Sequence, residues 1–362
     1  MKTFLVLANG TVLEGQQFGA TGTRVGEVVF NTGMVGYEET LTDPSYYGQI
    51  ITQSYPLVGN YGINGEDAES GRIWAFGYIV RELCDAPSNF RCKKTLDQYL
   101  KEQNIIGLAG IDTRSLVRLL RESGVMNGAL TTEYATAEEA LADEALMKAI
   151  REYNVTEAVA NVTRTETCVL NEGGKYHVAL FDFGCKNNIQ RSLVKRDCKV
   201  SVVPATTTAS QLKEMGLDGI MLSNGPGDPA ENVEIIENLK EIAKLGLPIF
   251  GICLGHQLMA LAQGAKTEKL KYGHRGVNQP VTDLAHGRTY ITSQNHGYAV
   301  DSDSVKVGKV RFANANDGTC EGIDYPELNA FTVQFHPEAC TGPKDTSFLF
   351  DRFVEMMKGG DR

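Results

Sequence analysis

A chain of 362 residues, 42% hydrophobic and 22% charged, can bury sizeable cores, and its length suggests two domains or three. Its formal net charge of -10 leaves no overall basic field, which excludes nucleic acid and anionic membrane surfaces as expected partners and favours a small-molecule substrate. No apolar run reaches the roughly 18 residues that a membrane span needs.

The first residues, Met1-Lys2-Thr3-Phe4-Leu5-Val6-Leu7-Ala8, briefly resemble a secretion signal, but the apolar stretch stops at Asn9-Gly10. Thr11-Val12-Leu13 then resumes a β pattern, so an Asn-Gly hairpin is the better reading. The eight cysteines are scattered without a CxxC pair or metal-ligand spacing, the usage expected of a reducing cytoplasm. With no secretion expected, the Asn-Val-Thr sequons at Asn154 and Asn161 read as chance matches.

Residues 1–133 form the first expected domain. Strands are predicted over 4–7, 11–13, 27–31, 49–52 and 72–80, and helices over 95–103 and 113–122, the second capped by Asp112. The segment 33–46 is dense in turn residues and reads as a loop. Residues 134–175 change character: an Ala- and Glu-rich helix over 136–152 leads into a polar stretch over 163–175 that contains Gly173-Gly174, a connector signature.

Residues 176–362 form the last expected domain. Short apolar strands over 177–182, 199–203, 219–222 and 248–252 alternate with helices over 187–195 and 231–244, which implies a largely parallel sheet covered on both faces. Strands return over 277–282, 289–293, 305–312, 320–323 and 330–335, and a helix over 345–357 closes the chain. The expected fold class is α/β, a C-terminal doubly wound, mostly parallel sheet with an N-terminal β-rich α/β domain.

Ligands of open α/β sheets bind beyond the carboxyl ends of the strands. Two loops leave such ends, Ser223-Asn224-Gly225-Pro226-Gly227-Asp228-Pro229 and Gly251-Ile252-Cys253-Leu254-Gly255-His256-Gln257. In the second, a cysteine stands at a strand-to-helix corner between glycines, where its sulfur would be exposed near a helix N-terminus that favours the thiolate. The other reading of Cys253 is a buried cysteine in an ordinary β-α turn.

A cysteine nucleophile needs a base and a group to orient it. Of the six histidines, His177 begins a strand and His274 and His286 fall in polar loops. His256 lies three residues past Cys253, at helical spacing, and could face the core or the subunit surface, while His296 lies in Gln294-Asn295-His296-Gly297-Tyr298, which could line a pocket. His336 ends a strand and is followed by Pro337-Glu338, so Pro337 fixes the backbone between an imidazole and a carboxylate able to orient it. His336 is the preferred base, against the alternative of a surface turn.

Three stretches, the Cys253 turn, Asn224-Gly225-Pro226-Gly227-Asp228-Pro229 and Gln334-Phe335-His336-Pro337-Glu338, together resemble class I (triad) glutamine amidotransferases. In the N-terminal half, Gly26-Glu27-Val28-Val29-Phe30-Asn31-Thr32-Gly33-Met34, Gly36-Tyr37, Leu41-Thr42-Asp43-Pro44-Ser45-Tyr46 and Gly110-Ile111-Asp112-Thr113-Arg114 resemble the small-chain family of carbamoyl-phosphate synthases. Phe181-Asp182-Phe183-Gly184-Cys185-Lys186-Asn187-Asn188-Ile189 resembles the opening of that family's glutaminase domain.

The resemblance implies a catalytic triad of Cys253 as nucleophile, His336 as base and Glu338 as orienting acid, with backbone N–H groups of Leu254 and Gly225 as oxyanion hole. It implies L-glutamine held by Ser45, Gly225, Gly227, Leu254, Gln257, Asn295, Gly297 and Tyr298. Tyr298 departs from the phenylalanine common in the family, a harmless change if its contact runs through the backbone. It further implies a large synthetase subunit as partner, which receives the ammonia and makes carbamoyl phosphate from bicarbonate and ATP for arginine and pyrimidine synthesis. No cofactor or metal is expected on this chain, since no G-x-x-x-x-G-K-[ST] sequence is present, and ATP and Mg are expected on the large subunit. The alternatives are a glutaminase for another synthase or a free-standing γ-glutamyl hydrolase, which the N-terminal stretches disfavour, and a catalytically silent regulatory subunit, which the intact triad disfavours.

Overall fold

The computed structural model describes residues 2–359, which form two compact units divided between Val155 and Thr156. Among the described residues no helix is long and apolar enough to cross a membrane.

The first unit runs β1 (Lys2–Leu7), β2 (Val12–Gly19), β3 (Thr23–Asn31), α1 (Tyr37–Thr42), β4 (Gln49–Gln53), β5 (Leu57–Val58), β6 (Gly77–Ile79), β7 (Glu82–Leu83), α2 (Leu96–Glu102), β8 (Ile106–Ala109), α3 (Thr113–Ser123), β9 (Met126–Thr131), α4 (Ala137–Ala142) and α5 (Glu144–Glu152). Seven strands close a barrel in the order β1-β2-β8-β6-β4-β3-β9, so the β-rich expectation becomes a sheet without free edges. Val29, Ile51, Tyr78, Leu96 and Leu100 lie in one buried cluster of this unit. The expected strand over 72–80 shortens to β6, and β8 and β9 were not anticipated.

The segment read as a loop over 33–46 holds α1 and a 3₁₀ turn, Pro44–Tyr46. Helix α1 buries Tyr37 and Leu41, and its Glu38 carboxylate accepts the backbone N–H groups of Asn64 (2.9 Å) and Gly65 (2.6 Å). A short helix rich in polar residues is thus stabilised by contacts remote in sequence, which local pattern cannot reveal.

The stretch read as a connector is built into both units. Asp143 interrupts the expected single helix and caps α5 by accepting the Leu146 N–H at 2.9 Å. Ala140, Leu146, Met147 and Ile150 pack with Phe4, Val6 and Ala129 of the first unit.

The second unit continues with α6 (Ala158–Val162), β10 (Cys168–Leu170), β11 (Tyr176–Asp182), α7 (Asn187–Val194), β12 (Cys198–Pro204), α8 (Ala209–Lys213), β13 (Gly219–Leu222), α9 (Val233–Ala243), β14 (Ile249–Ile252) and α10 (Leu254–Ala262). It ends with β15 (Thr267–Asp283), β16 (Arg288–Val300), β17 (Lys309–Asn314), β18 (Cys320–Tyr325), β19 (Ala330–Val333) and α11 (Phe348–Lys358). The sheet order is β10-β12-β11-β13-β14-β19-β18-β16-β15-β17. Five neighbours, β12, β11, β13, β14 and β19, pair in parallel, and antiparallel strands extend the sheet on either side. Two apolar layers cover the parallel strands. Leu222, Leu239, Ile242 and Leu258 belong to one layer, and Met221, Phe250, Phe331, Phe350 and Phe353 to the other.

Candidate active site

Four adjacent parallel strands, β11, β13, β14 and β19, deliver their carboxyl ends to one rim. Cys253 follows β14 and caps α10 with φ 53° and ψ -104°, a left-handed-side backbone rare for a side chain with a Cβ. Such strain is commonly stored at working sites, at a cost of order 1–3 kcal/mol. The turn is held because the Cys253 N–H donates to Val333 O at 2.8 Å and the Gly255 N–H to Ser223 O at 3.0 Å. A Cβ on Gly255 would lie 2.5 Å from Leu222 O, so only glycine lets the first turn of α10 sit on the end of β13. Cys253 is 2% exposed, and its Sγ lies 3.8 Å from Asn295 O.

His336 stands three residues beyond β19, with its N–H bonded to Ser293 O at 2.9 Å. Its Nδ1 lies 2.8 Å from Glu338 Oε1, and both side chains are buried. With Nδ1–H donating to that carboxylate, the other ring nitrogen is left as the proton acceptor. Nε2 has no hydrogen-bond partner among the described residues, while the Cys253 thiol is near enough to raise the proton affinity of the ring. Burial and the Lys186 ammonium push the imidazole down, but Glu338 and Cys253 outweigh them and bring its pKa up to about 9. Burial works against the Glu338 carboxylate, yet Lys186 and His336 hold its pKa down at about 2. The pair is therefore set as imidazole or imidazolium beside a fixed anion.

Lys186 is the residue that sequence reasoning did not single out. Its Nζ lies 3.1 Å from Glu338 Oε1 and 3.2 Å from His336 Nδ1, in a buried position on the loop after β11. Its N–H donates to Asn224 Oδ1 at 3.1 Å, and the Phe183 N–H to Ser223 Oγ at 3.0 Å, so the β11 and β13 loops are stitched together. The only signal was its place inside the segment 181–189 that carried the family resemblance.

The β13 loop meets the cysteine turn at Gly225. A Cβ there would lie 2.2 Å from Phe183 O and 2.7 Å from the Leu254 side chain. Leu254 opens α10, where the first N–H groups of a helix have no partner within it. Gly227 follows two residues on, with φ +86°. The Gln257 amide donates to Tyr298 O (2.7 Å) and Gln334 Oε1 (2.9 Å), which ties α10 to the strand of Asn295, Gly297 and Tyr298. The Tyr298 ring lies beside the Lys269 ammonium, 5.9 Å from its centroid, so the strand's inward hydrogen bonding uses its carbonyl. Ser45 belongs to the first unit, where its N–H is capped by Asp43 Oδ1 at 2.9 Å.

The remaining histidines have other places. His256 is fully buried, bonds Thr332 Oγ1 at 2.8 Å and is pushed by burial to about 3, so it is a neutral core residue. His296 is buried on β16, and burial with the neighbouring His274 charge holds it well below the ordinary imidazole range. His274, expected in a polar loop, is instead buried within β15, because strands β15 and β16 run as a long hairpin. His286 is exposed and pairs with Asp283 at 2.9 Å, and His177 bonds Ser201 Oγ at 2.8 Å. His274, His296 and Glu321 bring ligand-type atoms within 4.8 Å of one another. All three side chains also have hydrogen-bonding partners within the chain.

A family profile described as glutamine amidotransferase class-I matches residues 179–356. A second, described as carbamoyl-phosphate synthase small chain, CPSase domain, matches residues 5–130. The carbamoyl phosphate synthase pyrimidine-specific small chain of Bacillus subtilis (strain 168) is 51% identical over 359 residues, which covers 99% of this chain and 96% of the relative. The carbamoyl phosphate synthase small chain of Listeria monocytogenes serotype 4b (strain F2365) is 50% identical over 361 residues, covering 99% and 97%. That of Clostridium perfringens (strain 13 / Type A) is 48% identical over 355 residues, covering 98% and 99%. This chain belongs to the carbamoyl-phosphate synthase small-chain family.

Proposed function

We propose that this chain is the glutamine-hydrolysing subunit of a carbamoyl-phosphate synthase, with Cys253, His336 and Glu338 as its catalytic triad. The observation that carries the reading is the buried His336, tied through Nδ1 to Glu338, with Nε2 without a hydrogen-bond partner and the strained Cys253 near enough to raise its proton affinity. With its proton held on His336 Nε2, the Cys253 sulfur attacks the γ-carboxamide carbon of L-glutamine. The carbonyl oxygen becomes an oxyanion, which the N–H groups of Leu254 and Gly225 hold. Losing one such donor typically costs ~10²–10³ in turnover. The intermediate collapses as His336 returns the proton to the departing nitrogen, releasing ammonia and leaving a γ-glutamyl thioester. Water then attacks the thioester, His336 taking its proton and passing it to the sulfur, so that glutamate leaves and the thiol is restored.

Glutamine is held in this reading by Gly225, Gly227, Leu254, Gln257, Asn295, Gly297 and Tyr298 of the second unit. The ammonia passes to a large synthetase chain, which carries ATP and Mg and forms carbamoyl phosphate from bicarbonate for arginine and pyrimidine synthesis in the cytoplasm. The small-chain family supports a large-chain partner, and the pyrimidine-specific name of the Bacillus subtilis relative supports the pyrimidine branch. The test is to mix the purified chain with a large synthetase chain. A stable complex whose glutamine consumption matches carbamoyl phosphate formation is the expected result; failure to associate overturns the subunit assignment.

A further inference from the structure

The strand that carries Asn295, Gly297 and Tyr298 pairs with β15 at Arg275–Asn295, His274–His296 and Lys269–Tyr298. Its register with β15 is interrupted between Lys269 and His274 and again between Gly276 and Gln279. On its other side β18 pairs with it at one position, Val300 with Cys320. Side chains bridge the interruption, and the residue at their centre is Glu321, next to Cys320 and 0% exposed.

Glu321 Oε2 accepts the Gln294 amide at 2.9 Å, and Oε1 accepts the Asn314 amide at 3.2 Å. His274 Nδ1 lies 3.4 Å from Oε1, while its Nε2 lies 2.8 Å from Asp317 Oδ2. His296 Nε2 is 3.2 Å from Gln294 Oε1 and its Nδ1 2.8 Å from Tyr298 O; burial keeps the ring neutral, so its single N–H donates to one of these two oxygens. The main chain of Glu321 leads to the same strand: its carbonyl accepts the Gln334 N–H at 2.9 Å, and Gln334 Oε1 accepts the Gln257 amide that also reaches Tyr298 O. A buried carboxylate is a costlier filler than an apolar side chain of the same size. What it supplies here is acceptors for three converging donors, which no apolar residue supplies.

We propose that Glu321, with His274, is a positioning residue for glutamine: it locks Gln294 and His296 and so sets the backbone of residues 295–298 on which the substrate rests. The inference rests on the glutaminase reading and adds to it two residues that touch neither sulfur nor substrate. It predicts an effect on substrate binding apart from chemistry.

The test compares wild type with Glu321→Gln, Glu321→Asp and His274→Gln in the complex with the large chain, by steady-state glutamine hydrolysis and thermal melting. Glu321→Gln and His274→Gln should raise KM for glutamine about tenfold, the scale of one lost charged hydrogen bond. Turnover should stay within about threefold, and synthesis from added ammonia should be unchanged. Glu321→Asp, which keeps the charge, should recover part of the lost KM. Unchanged KM in both Gln variants overturns the inference, as does a lower melting point with falling kcat and constant KM. Should the Glu321 variants not fold, His274→Gln decides by the same criteria. A wild type that hydrolyses no glutamine overturns the underlying function and this inference with it. An active wild type with variants of unchanged KM overturns the inference alone.

Discussion

At the scale of residues, the contact among Lys186, His336 and Glu338 decides where protons sit. The Lys186 ammonium pushes the imidazole down and the carboxyl down, so it is both a competitor for Glu338 and a guard against an over-basic His336. Replacing it, as Lys186→Met, should move the His336 pKa above about 9 and that of Glu338 above about 2, read by NMR titration of the imidazole ring. An unchanged His336 titration would contradict that electrostatic account. The same pair makes stability depend on pH. His336 binds its proton more tightly folded than unfolded, so its contribution is complete below its ordinary value of 6.5 and is lost as pH rises through about 9. Glu338 acts in the opposite sense: its contribution is present above 4.5 and is lost as pH falls toward about 2. Urea unfolding across these windows should show both slopes, and Glu338→Gln should flatten the alkaline one. His336-Pro337-Glu338 was legible because the partners are two residues apart. Lys186 was not, since its two contacts span 150 residues and 152 of chain, and a lysine in a loop looks like solvated charge until the fold closes.

At the scale of elements, the cysteine turn works because β13, β14 and α10 approach more closely than side chains permit. Gly255→Ala would place a Cβ 2.5 Å from Leu222 O, a backbone atom that cannot swing aside. The expected cost is about 1–3 kcal/mol of stability, with a larger loss of glutamine turnover because α10 carries the Leu254 N–H. Differential scanning calorimetry and a glutaminase assay together check it; wild-type behaviour in both would show that the turn has slack. The parallel strands β11, β13 and β14 were readable from short apolar runs bounded by turn residues. The long β15–β16 hairpin was read only in fragments, since its bulges and polar residues break the two-residue alternation. That is why His274 was assigned to a loop while it lies buried in the sheet.

At the scale of the whole molecule, each unit is closed by pairings that local pattern does not contain. The barrel joins Phe4 to Thr131, and the second unit places β19 between β14 and β18 although β15–β17 intervene in sequence. The α/β class was legible from periodicity. Barrel closure was not, because it depends on strands such as β8 and β9 that are short and flanked by better helical signals. In the proposed function the cysteine supplies ammonia to a partner. That role is tested most directly by Cys253→Ser in the complex with the large synthetase chain, assayed for carbamoyl phosphate with glutamine and, separately, with ammonia. Synthesis from glutamine should be abolished while synthesis from ammonia persists at the wild-type rate. Retained use of glutamine by the variant would contradict that role.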